Sequence, residues 1–120
     1  MARILVAEDD SGMRRFLQQS LERAGHAVDA VGHGDAAMAE LKTNNYDLLL
    51  TDVAMPGVDG VALARHAADQ TPDMRVMMIT GFAAVALRMG RTANGNEAPI
   101  MSRPFHLRRL VEQVDDVLSA

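Results

Sequence analysis

The sequence predicts an α/β fold: a doubly wound, five-stranded parallel sheet with alternating strands and helices, formed as a single domain over residues 1–120. Three observations carry this. Short apolar runs alternate five times with segments whose apolar residues recur every three or four positions, the pattern of βαβ units. The run Leu48-Leu49-Leu50 is apolar without a break, the chain then meets the carboxylate of Asp52, and Pro56-Gly57 stops it, which suits a strand buried on both faces. The run Arg3-Ile4-Leu5-Val6-Ala7 likewise ends in acids, Glu8-Asp9-Asp10.

The elements follow in order. After the first strand, Met13, Phe16, Leu17 and Leu21 recur at helical spacing between polar residues, and Gly25 ends that helix. Ala27 to Val31 reads as the second strand. Gly34 to Lys42 forms a short helix carrying Ala37, Met38 and Leu41, closed by Thr43-Asn44-Asn45. The third strand is the run ending at Asp52. Asp59-Gly60 opens a helix with Val61, Leu63, Ala64 and Ala67 on one side, ending near Thr71-Pro72-Asp73. Arg75 to Ile79 is the fourth strand, stopping at Thr80-Gly81. A fifth strand near Ala98-Pro99-Ile100-Met101 precedes a helix from His106 to Leu118, with Leu107, Leu110, Val111, Val114 and Val117 inward. Between Gly81 and Glu97 a short helix at Ala83–Met89 gives way to Gly90-Arg91-Thr92-Ala93-Asn94-Gly95-Asn96, which lacks apolar periodicity and reads as a mobile loop.

In open α/β sheets, ligands bind in the crevice outside the carboxyl ends of the strands. If the first and third strands are parallel neighbours, Glu8, Asp9 and Asp52 open onto one edge. Crowded carboxylates drive one another toward protonation unless a cation compensates. Hard oxygen ligands suit Mg2+, usually held by one or two carboxylates together with a phosphoryl group. Each acid also has a plainer role: Asp52 could cap the following turn, and Asp10 or Ser11 could cap the helix from Met13. The expectation is that Asp10 or Ser11 caps while Glu8 and Asp9 face the cleft.

Composition excludes other classes. A net charge of −4 gives no case for nucleic-acid binding, and three Phe with one Tyr make no stacking platform. Without cysteine there are no disulfides, thiol chemistry or thiolate metal sites. No apolar run reaches membrane-spanning length and no signal-peptide pattern opens the chain, so a cytoplasmic domain is expected. His26, His33, His66 and His106 lack metal-spaced partners. Most methionines are filler; Met78 and Met101 fall inside apolar strands, where a thioether fills gaps.

Glu8-Asp9-Asp10, then Asp52 with Met55-Pro56-Gly57-Val58-Asp59-Gly60, then Thr80-Gly81, then Ser102-Arg103-Pro104-Phe105 occur in order on successive strand ends. In this the chain resembles a two-component response-regulator receiver domain over essentially its whole length. The resemblance implies a flavodoxin-like receiver fold in which Asp52 accepts a phosphoryl group from a phosphohistidine. It implies Mg2+ held by Asp9, Asp52 and the backbone carbonyl of Ala54, with Glu8 acting through a metal-bound water. Thr80 would bond the new phosphoryl oxygen, and the basic residue before Pro104 would pair with the aspartate or phosphate. Such a domain is a signalling phosphoacceptor, not an enzyme beyond slow self-dephosphorylation. Its partners would be a histidine kinase or histidine phosphotransferase, with neither nucleic acid nor membrane involved. Ala7-Glu8-Asp9-Asp10, Ile79 to Leu87 and Pro104-Phe105-His106-Leu107 are further similar to stand-alone alphaproteobacterial receivers. That likeness implies an adaptor for the ClpXP protease, docking on ClpX when unphosphorylated. The chain stops at Ala120, so no output domain is expected.

Two positions depart from the family pattern. Arg103 stands where lysine is usual; a planar, bulkier guanidinium is not equivalent to a compact ammonium, and an altered acyl-phosphate lifetime is expected. Ile100 stands where many receivers carry an aromatic whose rotamer reports activation. The signal is therefore expected to travel through residues 81–97 and the face after Arg103.

Three other readings compete. A flavodoxin-like FMN binder would want backbone N–H donors after the first strand, where three acids would repel its phosphate. A hydrolase with Asp52 as nucleophile would need a nearby acid–base, and Thr51 to Pro56 supplies none. A receiver acting as a binding module without phosphorylation is disfavoured because Glu8, Asp9, Asp52 and Thr80 are all present.

Overall fold

The computed structural model describes residues 1–53, 55, 59–80, 100–102 and 107–119. Among these are five strands and four helices, alternating as far as β4: β1 (Arg3–Ala7), α1 (Ser11–Arg23), β2 (Ala27–Val31), α2 (Gly34–Thr43), β3 (Leu48–Asp52), α3 (Gly60–Gln70), β4 (Arg75–Thr80), β5 (Ile100–Ser102) and α4 (Leu107–Ser119). The strands pair in parallel in the order β2-β1-β3-β4-β5. The strand order reverses between β1 and β3, so the crevice of a doubly wound sheet opens beside their carboxyl ends.

Strand residues alternate between two cores, as the pleat requires. Leu5, Leu49, Val76 and Met78 face α2 and α3, meeting Ala37, Leu41, Leu63, Ala64 and Ala67. Ile4, Val6, Leu48, Leu50, Met77 and Ile79 face α1 and α4, meeting Leu17, Leu21, Leu110, Val114 and Val117. Being covered on both sides explains why these strands read as unbroken apolar runs. All five residues of β3 are buried.

Local signals set the boundaries. Asp10 caps α1, its side chain accepting from the amides of Gly12 and Met13. The helix ends in a Schellman turn: the Gly25 amide donates to Glu22 O, the His26 amide to Leu21 O, and Gly25 takes φ 101°. His33, without a metal-spaced partner in the sequence, caps α2 through Nδ1, which accepts from the Ala36 amide. Asp59 caps α3, accepting from the Ala62 amide at 2.8 Å.

One apolar residue of the expected α1 stripe lies outside it. Phe16 is 39% exposed, whereas Leu17, Ser20 and Leu21 are buried. Successive helical residues turn about 100° apart, which puts Phe16 at the edge of a stripe centred on Leu17. The buried Ser20 hydroxyl donates to Phe16 O at 2.6 Å instead. The short helix read at Ala83–Met89, the loop after it and the first residues of the fifth strand lie outside the described residues. Among those described, no helix is long and apolar enough to cross a membrane.

Candidate acidic site at the carboxyl edge of the sheet

Leu48–Asp52 forms the middle strand because nothing in it needs water until its last residue. Ala7 pairs with Thr51 and Asp52 with Ile79, so the ends of β1 and β3 lie side by side. The Thr51 hydroxyl, buried, donates to the Asp52 carbonyl at 3.0 Å. The Val53 amide donates to Ile79 O at 2.9 Å, continuing the ladder one residue past Asp52.

Helix α3 closes against this strand end. The Gly60 amide donates to Val53 O at 2.9 Å. A β-carbon on Gly60 would fall on the Asp52 carbonyl, 2.8 Å from both the Asp52 carbonyl carbon and Val53 Cα. Only glycine admits so close a backbone approach, and it brings the helix N-terminus onto the backbone of Asp52.

The carboxylates of Glu8, Asp9 and Asp52 converge, with one oxygen of each lying within 4.8 Å of the others. Asp52 is 7% exposed and Glu8 only 1%, while Asp9 faces solvent. Burial pushes the Glu8 carboxyl up to about 8, helped by hydrogen bonds with Asp52 and Asp9 and by the Asp52 charge; the bond from the Asp10 amide, at 3.2 Å, opposes this. Glu8 thus holds a proton near neutrality when no cation is present. The set supplies hard oxygen donors around one point, which suits a small divalent cation.

The loop carrying Glu8 and Asp9 is tied on two sides. The Glu8 amide donates to Val31 O at 3.1 Å. From α1, Arg14 Nη1 donates to the Glu8 carbonyl at 2.9 Å and reaches the Asp9 carbonyl at 3.5 Å. Sequence reading missed this tie, because Arg14 appears only as one polar residue between apolar ones. It likewise gave Gly60 only a helix-opening role.

The other expected site residues are placed less fully. Thr80 ends β4, its backbone paired with Ser102. Ala54 and Arg103 lie outside the described residues. Among the described residues, His26 joins no metal-ligating cluster: Nδ1 accepts from the Ala2 amide at 3.1 Å, and Nε2 lies 3.4 Å from Asp115 Oδ1 at the opposite rim.

Comparison with known proteins agrees with this architecture. Residues 4–115 match the response regulator receiver domain family. The response regulator receiver protein CpdR of Brucella abortus is 48% identical over 120 residues, which span all of this chain and 99% of that protein. The transcriptional regulatory protein ResD of Bacillus subtilis is 36% identical over 118 residues, 97% of this chain and 48% of that protein. Among solved structures, response regulator TrrA of Thermotoga maritima, in complex with Mg2+-BeF, is 26% identical with a TM-score of 0.85, covering 98% of this chain and 99% of that one. A CheY-like receiver domain of Methanospirillum hungatei is also 26% identical with a TM-score of 0.85, over 99% and 94% of the two chains. With the sheet order, the family match and full-length likeness in agreement, the chain belongs to the response regulator receiver domain family.

Proposed function

We propose that this chain is a stand-alone receiver whose Asp52 takes a phosphoryl group from a phosphohistidine of a histidine kinase or phosphotransferase, and that this switches its binding to other proteins. The observation that carries the reading is the meeting of Glu8, Asp9 and Asp52 at the end of the central strand. An Asp52 carboxylate oxygen attacks phosphorus, the phosphorus–nitrogen bond breaks, and its electron pair returns to the histidine. Such transfer depends on positioning and charge neutralisation more than on covalent help. Asp52 is buried and its backbone is paired within the sheet, which limits its directions of approach.

Asp9 and Asp52, with the Ala54 carbonyl, would hold Mg2+, and Glu8 would act through a metal-bound water. The ion, when bound, offsets the negative charge of the phosphoryl oxygens. The Mg2+-BeF complex of the related TrrA supports this assignment. Thr80 would bond a phosphoryl oxygen, and Arg103 would pair with the phosphate or with Asp52. Likeness to CpdR along its whole length supports a single domain acting by docking in the cytoplasm. The finer reading is an adaptor for the ClpXP protease, and it rests on the motifs shared with stand-alone receivers of that kind.

Incubation with Mg2+ and acetyl phosphate, followed by intact-mass measurement, tests the central step. The wild type should gain one phosphoryl group and Asp52→Asn none. An unmodified wild type, or equal modification of both, refutes the assignment.

A further inference from the structure

We infer that Arg14 is a positioning residue for the acidic site, holding the peptide from which Glu8 and Asp9 project. The inference deepens the phosphoacceptor reading and rests on its metal site. Beyond β1 the chain must present two carboxyl groups toward a third, a crowding that disfavours their charged forms. Among the described residues, the Val31 carbonyl holds this segment through the Glu8 amide, at 3.1 Å. Arg14 adds a further tie, through the Glu8 carbonyl at 2.9 Å and, more loosely, the Asp9 carbonyl.

The neighbourhood is shaped for that guanidinium. Arg14 is half-buried while the adjacent Arg15 is exposed. The Arg14 head lies against Gly32, just past β2, where a β-carbon would sit 3.0 Å from Nη1 and 3.6 Å from Cζ. Gly32 does not have a positive φ, so a larger residue there meets Arg14 before it strains its own backbone. Guanidinium remains charged at every working pH and keeps a rigid fork of donors, so the tie survives titration of the acids around it. Groups that orient metal ligands from behind commonly change metal affinity about 10- to 100-fold when removed.

Truncating Arg14 alone mixes two opposed effects. Losing a nearby cation favours Mg2+ by Coulomb attraction, whereas losing the tie disfavours it. The decisive variant is therefore Gly32→Val, which keeps the charge and pushes the guanidinium aside. Mn2+ binding followed by electron paramagnetic resonance, with Mg2+ as competitor, gives the Mg2+ affinity without any phosphorylation step. Gly32→Val should weaken Mg2+ about tenfold, and should have little effect in an Arg14→Ala background. Arg14→Lys, which preserves charge but not the fork, should also bind more weakly than wild type. Metal-free melting curves identify any variant that has merely lost its fold, and the remaining charge-preserving variant then decides. Wild-type affinity in Gly32→Val and Arg14→Lys, or an undiminished Gly32→Val effect without Arg14, overturns the inference while leaving the metal site standing. Failure of the wild type itself to bind Mg2+ overturns the metal reading and this inference with it.

Discussion

Gly60 and Asp52 are in backbone contact: the place a Gly60 side chain would occupy is filled by the carbonyl group of Asp52. Neither partner in this contact is the flexible end of a side chain, so neither can yield cheaply. Gly60→Ala should therefore push α3 away from β3, costing about 1–3 kcal/mol as overpacking. Urea unfolding measures that cost. The same variant should weaken Mg2+ binding, because the residue displaced carries one of the three converging carboxylates. Unaltered stability and affinity would mean that the helix end adjusts without disturbing Asp52.

The buried Glu8 carboxyl makes stability depend on pH. Its ordinary value near 4.5 applies in the unfolded chain, and the fold raises it to about 8. Over that window the native state holds a proton that the unfolded state has lost, so alkali favours unfolding. In metal-free buffer with a chelator, the contribution should be complete below about pH 4.5, decline as pH rises, and level off above about 8. Glu8→Gln should flatten that slope. Chemical melts at several pH values check it; parallel profiles for the two proteins would assign the slope elsewhere.

Arg103 should set the lifetime of the acyl phosphate. A guanidinium binds phosphate through two parallel bonds where an ammonium makes a point contact. Phosphoryl loss from Asp52 in Arg103→Lys should differ from the parent by several-fold, timed by intact mass after removal of acetyl phosphate. Indistinguishable half-lives would leave Arg103 with no distinct role.

Docking on ClpX should depend on the state of Asp52. Immobilised ClpX should retain Asp52→Ala, which mimics the unphosphorylated form, more strongly than beryllofluoride-treated wild type in Mg2+. Equal retention of the two would argue against a phosphorylation-controlled adaptor.

The strands and helices among the described residues were legible because their signals are local and agree with one another. Strand ends at Ala7, Val31 and Asp52 follow from apolar runs meeting acids or turn residues, and the structure has those ends. The meeting of Glu8 and Asp9 with Asp52 could be anticipated once β1 and β3 were taken as neighbours, since parallel strands put like ends together. Contacts made across the fold by helix residues were not legible. Nothing in the spacing of Arg14 distinguishes it from Arg15, yet only Arg14 reaches the Glu8 carbonyl. The close approach of Gly60 depends on where a helix lands after a connection, which apolar periodicity does not encode. Phe16 misled for a related reason: membership of a stripe is a matter of angle, and its edge is decided by the neighbouring elements.

The strand carrying Asp52 has a paired neighbour along each side and a packed layer above and below it. A reactive group mounted there has almost no freedom to travel when its charge changes. That rigidity suits the phosphoacceptor role proposed for Asp52, which the sheet would hold as a fixed reference point.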